Sequence, residues 1–261
     1  MADIVNKQPT SSFENEKSAQ SYNEDCEDQL KLGRFMIRKL NIPKGARVLD
    51  IGCGPGTLTV EMADDVGPTG SVSGIDLGKE RMKIALQTYK NPEVDSFRSN
   101  VSFALGDAHN LSLFPDDHFD YVVANTVIHF LDREKAFKAF FRVLKPGGAF
   151  AASTMSGDHY CAFLEIKREV QSRGYYRGHI EPTMDLFDFP TQSDLKKHFS
   201  GAGFRHFSFE LVPSAVIYIR SFPESIQATA WANFEAEYEK LRTDRGIVVE
   251  SVWLTAYATK A

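Results

Sequence analysis

Val48-Leu49-Asp50-Ile51-Gly52-Cys53-Gly54-Pro55-Gly56-Thr57 is the stretch from which the fold of this chain is read. Arg47 to Ile51 has the length and apolar character of a short buried strand, with Asp50 near its end. Gly52, Gly54 and Gly56 then let the backbone turn sharply and let a ligand lie against it, since no Cβ intervenes. A helix opening at Thr57 presents free N–H groups and the positive end of its dipole to that turn. The spacing is acid-x-G-x-G-x-G. A dinucleotide fold wants G-x-G-x-x-G, and its third glycine would fall here on Thr57. Such a turn can also serve only to pack a strand on a helix, so its neighbours must decide.

Downstream, Leu58 to Ala63 continues the helix, and Gly67-Pro68-Thr69-Gly70 breaks it. Ser71 to Ile75 is a second strand ending at Asp76, 20 residues beyond Gly56. An acid about 20 residues on suits ribose hydroxyls, because a carboxylate is acceptor-only. The competing role is a cap for the helix starting near Gly78. Val101 to Leu105 is a third strand, followed by Gly106-Asp107-Ala108. Asp107 lies on the same carboxyl edge, where it suits an adenine amino group or a turn. Phe119 to Asn125 reads as a fourth strand buried on both faces. Arg133 to Leu144 is a helix with Ala136, Phe137, Phe140 and Phe141 inward, and Lys145-Pro146-Gly147-Gly148 turns into a fifth strand, Ala149 to Thr154. Four strand–helix repeats and a fifth strand predict an α/β, Rossmann-like doubly wound, mostly parallel sheet.

Upstream, residues 1–20 are polar and read as a flexible arm, and Leu30 to Leu40 falls at helical spacing within a helix from about Asp25. Past the fifth strand, two aromatic insertions, about 156–190 and 220–246, are expected to form a substrate cap on a single domain spanning 21–261. Between them Thr191-Gln192-Ser193-Asp194 opens a helix as a capping box that Gly201 and Gly203 end, and Phe207, Phe209 and Leu211 alternate as a strand. Trp231, Phe234, Tyr238 and Leu241 form a helical stripe within 222–245, read equally as core or as pocket lining, and Val249 to Thr259 is the last strand.

The full sequence of 261 residues is 43% hydrophobic and 25% charged, with a net charge of −5, which disfavours a phosphate-backbone binder. It shows no apolar run of ~20 residues and no signal-peptide core. Cys26, Cys53 and Cys161 form no C-x-x-C pair, so no metal site is expected, and a reducing, cytoplasmic setting is.

The ordered pieces LDIGCGPGT, GIDL, GDA, FDYVVAN and RVLKPGG together resemble the successive motifs of class I S-adenosylmethionine (SAM) methyltransferases, in the small-molecule group that includes ubiquinone, sterol and natural-product enzymes. The resemblance covers about residues 20–155. It implies a seven-stranded sheet of order 3-2-1-4-5-7-6 and SAM as cofactor, with S-adenosylhomocysteine (SAH) as product. It implies that Gly52, Gly54 and Gly56 bracket the methionine part with Asp50 near its amino group. Asp76 would hold the ribose with Leu77 against the adenine, Asp107 and Ala108 would read the adenine edge, and Asn125 and Thr126 would lie near the methionine moiety. Tyr22 resembles the aromatic element that closes over SAM in this group. The acceptor is expected to be a small, apolar or aromatic molecule methylated on O, C or N by in-line displacement, on a monomer or homodimer. The alternative is a SAM-binding protein that does not methylate. His129, a few residues past the fourth strand, is the first candidate base, with a packed, non-catalytic role equally open; His159 and Tyr160 follow it. No Asn/Asp-Pro-Pro-Tyr/Phe follows the fourth strand, where this chain has Asn125-Thr126-Val127-Ile128, which disfavours methylation of amide or base nitrogens.

Overall fold

The computed structural model describes residues 27–89, 99–158, 188–213, 242–243, 246–247 and 252–261. Helix α1 (Glu27–Leu40) leads into β1 (Arg47–Ile51), α2 (Thr57–Val66), β2 (Ser71–Asp76), α3 (Lys79–Thr88) and β3 (Val101–Leu105). Then come β4 (Phe119–Asn125), a 3-10 turn at Ile128–Phe130, α4 (Arg133–Val143), β5 (Leu144–Met155), α5 (Gln192–Ala202), β6 (His206–Pro213) and β7 (Val252–Thr259). These strands form one sheet in the order 3-2-1-4-5-7-6, as the resemblance implied. The first five run parallel, and β7 lies antiparallel between β5 and β6.

The central strands are covered on both faces by helices, so they bury nearly every side chain. Val48, Leu49, Ile51, Val122, Val123, Ala124, Phe150 and Ala151 are all fully buried. One face packs on a phenylalanine cluster. Phe137 and Phe140 of α4 meet Phe150 of β5, and Phe199 of α5 stacks on Phe137 at 5.1 Å between centroids. The other face packs on α1 and α2 through Met36, Leu58 and Met62. Thr191 and Asp194 close the capping box of α5 reciprocally, with Asp194 doing what Glu usually does. Gly203, not Gly201, ends that helix, in the left-handed conformation.

Two expectations need correction. Strand β5 begins at Leu144 rather than Ala149, because Phe119 pairs with Leu144 and Tyr121 with Ala149, so Lys145 to Gly148 is a bulge in the ladder and not a free turn. The helical pattern drawn to Arg245 stops short of it: Arg242–Thr243 pairs antiparallel with Gly246–Ile247. The stripe from Trp231 to Leu241, most of both insertions, Tyr22, His159 and Tyr160 lie outside the described residues. No described helix is long and apolar enough to cross a membrane.

Candidate active site

In the sheet order, β1 lies between β2 and β4, and this is where the winding reverses. Loops leaving the carboxyl ends of β1 and β4 therefore diverge and open a crevice. The register aligns those ends: Asp50 is opposite Gly74 and Val123, and Asn125 is opposite Ser153. The two loops touch at Gly52, whose φ is 66°. A Cβ there would stand 2.6 Å from Val127 Cγ2, so only glycine fits the approach.

Asp50 is buried and takes a hydrogen bond from the Thr59 hydroxyl at 2.6 Å. Burial pushes its carboxyl up to about 7; the Thr59 bond opposes this and the charge of Asp76 adds to it. Asp76 is also buried, and both of its oxygens are engaged. The Gly54 N–H donates to Oδ2 at 3.0 Å, the Gly78 N–H to Oδ1 at 2.7 Å, and Arg81 pairs with Oδ1 at 2.8 Å. Asp76 is thus a brace for the glycine turn and for the Gly78 N–H just ahead of α3, whose first turn has no side-chain cap. The cap drawn from the sequence is not formed, and the roughly four lone-pair sites of the carboxylate leave little to spare while Arg81 is in place.

Asp107 is half-exposed and accepts from the backbone N–H and the ring Nδ1 of His109. His109 Nε2 accepts the Asp132 N–H at 2.9 Å. Since Nε2 is the acceptor, the proton sits on Nδ1, and the ring ties the loop after β3 to the start of α4. Leu77 is exposed beside Asp76, and Ala108 is buried. Asn125 bridges elements: Ser153 Oγ donates to its Oδ1 at 2.6 Å, and its Nδ2 donates to the Gln29 carbonyl at 3.1 Å. Thr126 has a φ of 53° and donates its N–H to Ser153 O. Asp50, Gly52, Gly54 and Asn125 line one cleft, together with Gln29, Cys53 and Thr57. The first turn of α2 beyond it carries no side-chain cap, so its N–H groups are available to a carboxylate.

Thr59, Arg81, His109 and Gln29 are the residues that sequence reading missed. Thr59 lies on the turn of α2 facing back to Asp50, and Arg81 lies five positions past Asp76; in both cases the partner acid was visible but not the direction of approach.

The family assignment follows from this site and from matches elsewhere. Residues 42–200 match a family model described as a methyltransferase domain. This span holds the glycine turn, all three acids and β1 to β5. The chain belongs to that family. It is a class I SAM-dependent methyltransferase of the small-molecule kind. A demethylmenaquinone methyltransferase of Staphylococcus aureus is 31% identical to it over 192 residues, covering 68% of this chain and 76% of that one. A protein of the same name from Geobacillus is 28% identical over 195 residues, covering 67% and 77%. Among solved structures, phosphoethanolamine N-methyltransferase 2 of Haemonchus contortus, in complex with SAH, superposes with a TM-score of 0.67 at 17% identity. That comparison covers 95% of this chain, which spans 58% of the length of the Haemonchus protein, and at that identity it bears on the fold alone.

Beyond the end of β4, His129 is buried between Phe130 and Phe189, with ring centroids 4.1 and 5.1 Å away. Its Nδ1 lies 3.2 Å from Thr154 Oγ1. Burial, with Arg133 adding to it, pushes the imidazole down to about 3, so at neutral pH the ring is uncharged and a weak proton acceptor. Of the two roles left open for His129, the packed imidazole accords better with this geometry. The ring resonances of His129 are expected to stay flat in an NMR titration from pH 8 to 5. The stability that depends on it is full above about 6.5 and is lost as the pH falls towards 3, because the unfolded chain takes up the proton and the native one resists it. An inflection between pH 6 and 7 would contradict the burial argument.

Proposed function

We propose that this methyltransferase moves a methyl group from SAM to a small apolar or aromatic acceptor, and that residues 21–261 act as one domain with the two insertions capping the acceptor. The observation that carries the reading is the pair of buried acids flanking the glycine turn, Asp50 and Asp76, at the carboxyl ends of β1 and β2. A buried carboxyl raised to about 7 lacks a cation; the ammonium of a methionine moiety supplies one. The residues fit the cofactor. Asp50 meets the amino group, and Gly52, Gly54 and Gly56 bracket the methionine chain. Asp76 takes the ribose, with Arg81 giving way. Leu77 covers the adenine, Asp107 and Ala108 read its edge, and Asn125 and Thr126 close the far side.

SAM supplies an electrophilic methyl on a positive sulfonium. The protein's part is to align an acceptor with it and to keep water out. The wall formed by Phe130 and Phe189, with an uncharged His129 between them, favours an acceptor without charge. His129 is assigned to hold that acceptor and not to take its proton. The relatives named demethylmenaquinone methyltransferases act, by that name, on an apolar quinone-type ring, which agrees with the wall.

The test is incubation with methyl-labelled SAM and two acceptor sets, aromatic phenols or reduced quinones against phosphorylated amines. Label in the organic-extractable aromatic product is expected. Label confined to the amines, or none with either set while SAM is bound, would overturn the acceptor assignment.

A further inference from the structure

Helix α1 lies outside the residues matched by the family model, yet its first turn is fastened to the site. Gly33 lets it approach: a Cβ there would stand 2.4 Å from Leu58 Cδ1 and 3.0 Å from Asn125 Cγ. Asn125 then binds the Gln29 carbonyl, and Ser153 holds Asn125 in turn. Three elements thereby fix the backbone of Gln29 over the cleft that contains Asp50, Gly52 and Gly54. Gln29 is among the residues that line that cleft, and its side-chain Oε1 is buried with no hydrogen-bond partner among the described residues. A buried acceptor left unpaired lowers the stability of the ligand-free protein and is kept only where something else pairs with it.

An unpaired acceptor in the same cleft as a carboxylate suits a ligand group with several donors. An ammonium has three, and Asp50 alone does not take them all. We propose that Gln29 is a cofactor-binding residue, its side-chain oxygen accepting a hydrogen bond from the α-amino group at the methionine end of SAM. This rests on the reading of the cleft as the SAM site and adds the N-terminal helix to it. The anchored first turn of α1 then helps to bind the cofactor, in addition to covering the sheet.

Gln29→Met keeps the unbranched shape and removes the amide. Two probes are titrated into wild type and variant by calorimetry: SAH, and the SAH analogue in which hydrogen replaces the α-amino group. The variant is expected to bind SAH about tenfold more weakly, the worth of one charge-assisted hydrogen bond, and the deaminated analogue as wild type does. Its melting temperature without ligand is expected to match or exceed that of wild type, since an unpaired buried acceptor is gone. An equal loss for both compounds, no loss for either, or a lowered ligand-free melting temperature would overturn the assignment. A wild-type chain that binds neither compound would overturn the cleft reading and this assignment together.

Discussion

Asp50→Asn is expected to raise stability at pH 8 while nearly abolishing cofactor binding. The native carboxyl titrates near 7 and the unfolded one near 3.8. Between those values the native chain holds a proton that the unfolded chain releases, so stability falls as the pH rises through that window and stays low above it. At roughly 1.4 kcal/mol per pH unit, the burial of this charge costs on the order of 4 kcal/mol at pH 8. Asparagine carries no charge, and its oxygen can still accept from the Thr59 hydroxyl. A gain on the order of 3 kcal/mol at pH 8 is therefore expected in urea unfolding, shrinking to nothing below pH 4. The same change removes the anion that would face the cofactor's ammonium. Losing one side of a buried charge pair costs about 2–5 kcal/mol, or roughly 30-fold to several thousand-fold in Kd for SAH. An Asp50→Asn protein that is less stable at pH 8, or that binds SAH as wild type does, would contradict this account of the site.

Asp76→Ala is expected to lose binding too, but with the opposite effect on stability. Its carboxylate holds the Gly54 and Gly78 N–H groups and faces Arg81. Removing it leaves two backbone donors to find other acceptors, at about 1–3 kcal/mol each when they stay buried. A stability loss of roughly 2–4 kcal/mol should appear in urea unfolding at pH 7, and SAH should bind at least about 100-fold more weakly once the ribose hydroxyls and the shape of the turn are both lost. An Asp76→Ala protein with wild-type stability would show that the glycine turn holds without its brace. The opposite signs at Asp50 and Asp76 separate an acid held for a ligand from an acid that also builds its own loop.

How far the sequence reached follows from how local each feature is. Strand β1, the glycine turn and the start of α2 were legible to the residue because the chemistry is consecutive: apolar run, glycines, helix. Asp76 and Asp107 were found because parallel strands put their ends on one edge. The sheet order rested on the resemblance, since nothing in the residues near β6 and β7 says which inserts beside β5. The contact between Gln29 and Asn125 was hidden because it joins positions 96 apart. Arg81 and His109 were passed over because a charged or imidazole side chain shortly after an acid reads as ordinary helix or turn composition. Lys145 to Gly148 has the composition of a turn, and it becomes a bulge only because β4 pairs with the chain on both sides of it. His129 is buried in part against Phe189, distant in sequence, and that burial, with Arg133 adding to it, lowers its imidazole in a way no local pattern shows.

The most direct measurement is a crystal structure of the chain grown with saturating SAH. The account predicts the ribose hydroxyls within hydrogen-bonding distance of Asp76, with Arg81 moved aside, and the amino group beside Asp50 over the turn from Gly52 to Gly56. SAH bound elsewhere, or the cleft at Asp50 left empty while the ligand saturates the protein, would contradict it.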